Sequence, residues 1–502
     1  MAVKHQHDKP NSKQFRKNKK YSYLCTLKPK QNMPKKPQAP KILSNIAITD
    51  IAAEGQAIAR HNGKVIFVEN AVPGDVADLL VLRQKNDFSQ TRIQQLISPS
   101  PDRTTPFCQH FGICGGCRWQ QLEYDRQAQY KQQIAEDAFR RIGKLQHPPF
   151  LPIIKAVPET YYRNKLEFTF STKRWLTNDE IAREDETPNR NALGFHVGGM
   201  FDRVVDVQHC HLQPEPSNSI RNFVRQIAQQ QDLSFYDLKN HEGLLRNLII
   251  RTTTTNEVMV NVCFGHDDAE KRALLLDALV QQFPQITSLH YTINTKRNDS
   301  IFDQQVITYQ GRGYIIETLE NLQFKISPKS FFQTNPYQTL QLYKIVRNFA
   351  QLTPDETVYD LYTGTGSIAL FVAQQCKQVI GIEEVPDAIA DAKQNASHNQ
   401  IHNAHFYAGD VKKLLNNELT QIHGQPDVLI TDPPRAGMHA DVVQQIIDFA
   451  PKRIVYVSCN PATQARDLQL LANNYAVNAV QPVDMFPHTF HVENVAVLEQ
   501  RR

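Results

Sequence analysis

The stretch Val358-Tyr-Asp-Leu-Tyr-Thr-Gly-Thr-Gly-Ser367 restricts the fold of this chain more than any other. It reads as an apolar strand, a glycine turn and the start of a helix, Ile368–Gln375. Gly364 and Gly366 let the backbone turn tightly and let a ligand approach it closely. The pattern then repeats. Strand Gln378–Ile382 ends in Glu383, seventeen residues past Gly366, and His405–Ala408 ends in Gly409-Asp410. Such alternation from about Ile326 onward predicts a doubly wound, Rossmann-like α/β sheet. In nucleotide-type folds an acid placed like Glu383 holds a ribose hydroxyl pair. Asp410 is placed to accept from an adenine amino group. Ordinary turns in an unliganded sheet would not put a glycine or an acid at three successive strand ends. The chain has no G-x-x-x-x-G-K-[ST] phosphate cradle and lacks the third glycine of the dinucleotide fingerprint. S-adenosylmethionine, with ribose and adenine but no phosphate, therefore fits better than NAD.

Two further strands carry candidate chemistry. Asp427–Thr431 ends in Asp432-Pro-Pro-Arg435, where many methyltransferases line the slot between cofactor and target base. An Asn-Pro-Pro-Tyr version would suit a planar amino nitrogen, and this version departs from it. Ile454–Ser458 delivers Cys459 to the carboxyl edge, where Asn460-Pro461 open a helix. Unpaired N–H groups and the helix dipole favour a thiolate there. Uracil carbon 5 becomes nucleophilic only after addition at carbon 6, which a thiolate performs. A base must afterwards remove the carbon 5 proton, and Glu493 in Phe490-His-Val-Glu-Asn-Val495 is the candidate. A cysteine met at random is more often a core thiol, and apolar-flanked Cys263 and Cys376 are read that way. The surroundings of Cys459 reverse that expectation. Cys25 is assigned nothing.

At 502 residues the chain predicts roughly three domains. No run of about eighteen apolar residues suggests a membrane span, no secretory pattern opens the chain, and the cytosol is expected. The net charge of +5 is uneven. Met1 to Asn45 carries +11, leaving −6 for the rest. Residues 1–39 thus read as a disordered basic tail, serving either as an electrostatic arm for RNA or only as a solubilising segment. Residues 40–100 hold short strands Ile46–Asp50, Ala57–Arg60, Lys64–Val68 and Asp75–Leu82, punctuated by Gly55, Asn62-Gly63 and Pro73-Gly74. They predict a small barrel of the kind that binds nucleic acid. Residues 101–325 form an α+β central domain with a helix over Tyr124–Ile142 and strands Lys165–Ser171, Leu248–Thr253, Glu257–Phe264 and Ser288–Asn294. Thr177–Asn191 reads as a surface loop. Residues 326–502 complete the cofactor domain.

Only eight cysteines occur, yet Cys108, Cys114 and Cys117 fall within ten residues, threaded with Gly112, Gly115 and Gly116. Cys210, in Gln208-His-Cys-His-Leu212, is the available fourth ligand. Four cysteines admit zinc or an iron–sulfur cluster, and spacing does not choose between them.

Phe331-Phe-Gln-Thr-Asn335, Asp360-Leu-Tyr-Thr-Gly-Thr-Gly366, Ile430-Thr-Asp-Pro-Pro-Arg-Ala-Gly437, Val457-Ser-Cys-Asn-Pro461 and His491-Val-Glu-Asn-Val495 resemble the motifs of the class I SAM-dependent RNA uracil-5-methyltransferases, in order. The resemblance spans about residues 40 to 502. It implies that Lys41–Ser98 is a TRAM domain (an OB-like RNA-binding barrel) and that Cys108, Cys114, Cys117 and Cys210 hold a 4Fe–4S cluster. It implies Gln333, Tyr362, Ser367, Glu383, Asp410 and Asp432 as cofactor-binding residues, Cys459 as nucleophile and Glu493 as base. Asn is common among relatives at the Ser367 position. A TRAM-like segment together with the cluster cysteines points to the iron–sulfur 23S rRNA branch, because the bacterial tRNA enzyme lacks both. RNA is the implied partner; basic residues in Tyr161–Lys165 and at Arg246-Asn247 read equally as RNA contacts and as ordinary surface charge or internal salt bridges. Three alternatives stand beside this one: uridine-5 methylation of tRNA, cytosine-5 methylation, and RNA binding without catalysis. Cytosine-5 enzymes characteristically carry a second cysteine at the Asp-Pro-Pro motif, where this chain has Asp432.

Overall fold

The computed structural model describes residues 41–146, 148–183 and 189–501. The basic-tail and Cys25 expectations lie outside the described residues. Five strands, β1 (Ile42–Ile51), β2 (Ala57–His61), β3 (Lys64–Glu69), β4 (Val76–Gln84) and β5 (Phe88–Ser98), close into a barrel in the order β1-β2-β3-β5-β4. Alternation puts Ile46, Ile48, Ala57, Ala59, Ile66, Val68, Ala77 and Leu79 inside. Asn62 and Gly63 turn β2 into β3 with positive φ at both, as a tight hairpin needs. The strand β5 carries no such alternation, because the residues it buries are Ser89 and Thr91. It was the one barrel strand absent from the sequence expectation. Asp75 is not part of β4. It is wholly buried and accepts from the amides of Val72 and Ser100 (2.7 and 2.9 Å) and from Arg103 Nε (3.0 Å), fixing the exit of the barrel.

Helix α1 (Tyr124–Arg141) follows, then β6 (Lys165–Ser171), the short α2 (Asn178–Ala182), β7 (Ala192–His196), β8 (Val204–Asp206), α3 (Ser217–Gln230), β9 (Leu245–Thr252), β10 (Val258–Phe264), α4 (Ala269–Gln282), β11 (Ile286–Ile293) and β12 (Val306–Gly311). The strands form one sheet, β12-β11-β10-β9-β6-β7-β8, antiparallel except between β10 and β11. The expected loop at Thr177–Asn191 is helical at its start, where Thr177 and Glu180 form a reciprocal capping box.

Next come the hairpin β13 (Ile315–Leu319) and β14 (Leu322–Ile326), then α5 (Pro336–Ala350), β15 (Thr357–Leu361), α6 (Ser367–Val372), β16 (Gln378–Glu383), α7 (Pro386–His398) and β17 (Ala404–Ala408). They are followed by α8 (Val411–Leu414), α9 (Asn417–His423), β18 (Val428–Thr431), α10 (Ala440–Phe449), β19 (Arg453–Ser458), α11 (Pro461–Leu471), β20 (Tyr475–Val483) and β21 (Glu493–Gln500). The sheet order is β17-β16-β15-β18-β19-β21-β20, parallel except where β21 runs against both β19 and β20. Apolar side chains of α5, α6 and α7 cover one face. Those of α10 and α11 cover the other, with Phe139 of α1. Ile315, Leu319, Leu322, Phe324 and Ile326 of the hairpin belong to the core of this sheet. Upstream, Phe150 and Ile154 bridge to Val480 and Val483 of β20. No described helix is long and apolar enough to cross a membrane.

Candidate active site

In a parallel sheet flanked by helices, ligands bind beyond the carboxyl ends of the strands where the strand order reverses. Here that crevice opens between β15 and β18. Gly366 has φ +76, and a Cβ there would meet Ala392 and the Phe406 ring at 2.9 Å. Gly364 faces open space instead, so its bare backbone borders the crevice. The Gly364 amide donates to Glu383 (3.2 Å), which also accepts from the Val385 amide (3.0 Å). Tyr362 holds a left-handed conformation, φ 62. Burial and then Asp410 push its hydroxyl up to about 12, which places Tyr362 among Asp410 and Glu383. Asp410 accepts from the Lys412 amide (3.0 Å). The Ser367 and Tyr343 hydroxyls share a 2.6 Å hydrogen bond. The Gln333 carbonyl accepts from Asn164 Nδ2 (3.0 Å), so this segment is tied to the central sheet.

The carboxyl edge also gathers the reacting candidates. Cys459 follows β19, and β21 starts at the same edge because it runs the opposite way. Its register pairs Ser458 with Asn494, which sets Glu493 across from Cys459. Glu493 is 6% exposed, and burial followed by the Asp432 carboxylate pushes it up to about 8. Asp432 keeps part of its surface open to the cleft, yet its carboxyl is enclosed. That burial, with Asp360 beside it, pushes Asp432 up to about 7. Asp360 is likewise raised to about 7 by burial, and Thr363 donates to it.

The expectation of a favoured Cys459 thiolate is corrected. Burial, then Glu493 and Asp432, push the thiol up to about 11, and Arg435 opposes them. The nearby carboxylates and lost water outweigh the helix N-terminus, whose first amide is already satisfied by the Asn460 cap at Ala462 (3.1 Å).

Sequence reading missed three supporting features. Arg435 is the cation facing Cys459, Glu493 and His491, and its carbonyl accepts from Asn460 Nδ2 (3.0 Å) and Thr463 Oγ1 (3.2 Å). Asp360, quoted in the glycine-turn motif without a role, lies buried in β15. A buried pair, Lys131 Nζ to Asp484 Oδ1 at 2.5 Å, braces the loop that leads to Glu493. The same loop is held by Tyr162 at the Pro487 carbonyl (3.0 Å) and Asn335 at the Met485 carbonyl (2.9 Å). Of these, Arg435 and Asp360 stand in motifs legible in the sequence, and the Lys131–Asp484 pair carried no local signal.

Cys108, Cys114, Cys117 and Cys210 line one cavity of about 180 Å³. All four are free thiols. Burial, with the other cysteines contributing, pushes Cys114 and Cys117 up to about 12. Among the described residues no three His, Cys, Asp or Glu side chains are grouped to hold a metal ion. Cys263 and Cys376 are core thiols, as expected. Arg246 is not an RNA contact. It is 1% exposed, holds Asp299 at 3.0 Å and the carbonyls of Asn294 and Asn298 at 2.8 and 2.7 Å, and so orders an internal loop.

Residues 224–501 match the family described as tRNA (Uracil-5-)-methyltransferase, and residues 44–90 match the TRAM domain. An uncharacterized RNA methyltransferase of Bacteroides thetaiotaomicron is 56% identical over 454 residues, 90% of this chain and 100% of that protein. The chain belongs to the tRNA (uracil-5-)-methyltransferase family. Another family protein, an uncharacterized RNA methyltransferase of Chlorobaculum tepidum, is 38% identical over 91% of this chain and 96% of its own length. The crystal structure of Pyrococcus abyssi tRNA (uracil-54, C5)-methyltransferase with S-adenosyl-L-homocysteine aligns at TM-score 0.69 and 27% identity. It covers 90% of this chain and 99% of that one. As a member of this family the chain is a SAM-dependent methyltransferase, with a TRAM barrel ahead of its catalytic sheet. The architecture is shared with a tRNA enzyme, so a TRAM barrel does not separate rRNA from tRNA as a target.

Proposed function

We propose that this chain methylates carbon 5 of a uridine in RNA, with 23S rRNA as its first candidate substrate. The reading rests above all on the register that sets Glu493 across from Cys459 beside Asp432. The crevice suits S-adenosylmethionine: bare backbone at Gly364, an acid at each neighbouring strand end, and a group of carboxylates, Asp360, Asp432 and Glu383, that would favour a cation. Gln333, Tyr362, Ser367, Glu383, Asp410 and Asp432 would hold it, and it supplies the methyl group.

The Cys459 thiol gives up its proton to water and adds as thiolate to uracil carbon 6, and the electron pair moves to the carbon 4 oxygen. Carbon 5 of that enolate takes the methyl group. Glu493 then removes the carbon 5 proton, and the returning electron pair expels the thiolate. Arg435 is the described cation that favours the thiolate, against Asp432 and Glu493. Burial protects the adduct from bulk water while Glu493 is poised near neutral pH. The cytosol is the compartment this reading implies, and the barrel is its RNA-binding part.

We read the four cysteines as ligands of a 4Fe–4S cluster. All four thiols border one cavity, and four cysteine thiolates are the donor set that holds such a cluster. The Gly116 amide at 3.4 Å from Cys114 Sγ is the kind of donor that cluster thiolates accept. Four irons and sulfide in anaerobically purified protein, with visible absorption, are expected. One zinc and no sulfide would overturn the assignment.

A strain lacking the gene, complemented with wild type or Cys459→Ala, tests the function by mass spectrometry of RNA nucleosides. Loss of 5-methyluridine from 23S rRNA, restored by wild type alone, is expected. Loss from tRNA instead would favour the second reading, which the Pyrococcus likeness supports. Loss of 5-methylcytidine, or no change in either RNA, would overturn the proposal.

A further inference from the structure

A cavity of about 780 Å³ lies in the central domain, outside the residues assigned to methyl transfer. Arg118, Lys239 and Arg297 border it, all exposed, and none has a carboxylate partner among the described residues. Its acid, Asp299, is occupied by both Nε and Nη2 of Arg246 at 3.0 Å. The wall is therefore cationic. At the rim the Gly198-Gly199 turn holds Phe201 73% exposed, with Met200 beside it at 43%. An aromatic ring held in water beside unpaired cations suits a ligand that is both planar and anionic.

The pocket is built against the cysteine loop. The Gly115 amide donates to the His196 carbonyl (3.0 Å), the Gly198 amide donates to the Ile113 carbonyl (3.2 Å), and Cys114 bridges to Val197. At its other end the same loop reaches the reaction cleft, because the amides of Arg118 and Trp119 both donate to the His488 carbonyl (2.8 and 3.0 Å). His488 lies five residues before Glu493. One short segment thus joins the cationic pocket, the four thiols and the loop that presents Glu493.

We infer that this pocket is a second nucleotide site for the RNA: Phe201 takes the face of an unstacked base, and Arg118, Lys239 and Arg297 take its phosphates. The inference rests on the reading that RNA is the substrate. Single-stranded nucleic acid is held by this combination, stacking for the base and a cationic track for the backbone. A pocket apart from the cleft would hold a neighbouring part of the strand while the target uridine reaches Cys459.

The test uses the full-length chain, a short fluorescein-labelled single-stranded RNA of mixed sequence, and the RNA that loses 5-methyluridine in the deletion strain. Phe201→Ala should weaken binding of both RNAs about tenfold. The triple variant Arg118→Ala/Lys239→Ala/Arg297→Ala should weaken it further and lower the slope of log affinity against log salt by about 2. In both variants KM for RNA should rise while kcat and S-adenosylmethionine affinity stay at wild-type values. Unchanged RNA affinity and salt slope, with wild-type methylation intact, would overturn the pocket and leave the reaction standing. If wild type binds RNA with this dependence but methylates no uridine, the pocket stands and the proposed reaction fails. A fall in S-adenosylmethionine affinity in step with RNA affinity would mean a structural role, and would also overturn it.

Discussion

The chain builds two seven-stranded sheets that carry their polar residues in opposite ways. In the catalytic sheet the strand bodies are apolar and buried on both faces, as at Val428–Ile430 and Ile454–Val457, and the chemistry sits at the ends. The central sheet packs Leu166, Phe168, Leu248, Ile250, Val260 and Val262 under α3 and α4. Its buried polar residues lie in mid-strand. Asn261 donates to Thr292 (3.1 Å), Ser288 shares a hydrogen bond with His290 (2.7 Å), and Arg251 reaches the Ser330 carbonyl (2.7 Å). Helices on both faces leave only the edge for polar groups, whereas a sheet covered on one face can distribute them along its strands. One sheet concentrates function at an edge, and the other spreads it into positioning.

The comparison breaks most readily at Cys459. Cys459→Ala should cut methyl transfer by about ten-thousandfold or more while calorimetry finds unchanged S-adenosylmethionine affinity. A loss below about tenfold would mean that the chemistry does not sit at the end of β19. Glu493→Gln should slow turnover by about a hundredfold to ten-thousandfold. It should also trap a covalent RNA–protein species visible on a denaturing gel. Burial and Asp432 hold Glu493 at about 8, so wild-type kcat/KM should rise with pH through that value as the base loses its proton. In the Gln variant that limb should vanish.

Lys131→Met probes the positioning side. Both members of the Lys131–Asp484 pair are fully buried, so an uncompensated Asp484 should cost about 3–5 kcal/mol in chemical denaturation. A smaller loss would mean that the Glu493 loop does not depend on α1. Glu493 also links stability to pH. Its folded value is raised from 4.5 to about 8, so the stability it contributes is present below about 4.5 and disappears as pH rises through about 8. Glu493→Gln should match wild type in acid and be more stable by about 1 kcal/mol or more above pH 8, read from melting curves. Equal curves throughout would show that the carboxylate finds compensation when charged. Smallest is Asn460→Ala, which removes the α11 cap and the hold on the Arg435 carbonyl, for about 1 kcal/mol.

Much of the catalytic edge was legible because a parallel sheet turns chain order into spatial order. Gly366, Glu383, Asp410, Asp432 and Cys459 each stand just past a run of apolar residues, so the end of each run announces the site. Gln333 gave no such sign: it precedes α5, and its carbonyl is tied to Asn164, 169 residues away. The strand β5 was missed for a related reason, since hydroxyl groups fill its buried positions and no apolar period marks it. Arg246 stayed open between RNA contact and internal pairing, because a basic residue in a strand looks alike whether it faces RNA or an internal loop.

The amino-acid order settled the two α/β and barrel signatures, the strand-end residues and the clustering of three cysteines, because each is a short-range pattern. Tertiary structure decided the rest. The antiparallel return of β21 brought Glu493 opposite Cys459, and burial among carboxylates raised Cys459, Asp432 and Glu493 together. Cys210 joined cysteines more than ninety residues earlier around one cavity. Protonation follows from desolvation and nearby charge, and both depend on which distant segments the fold makes neighbours.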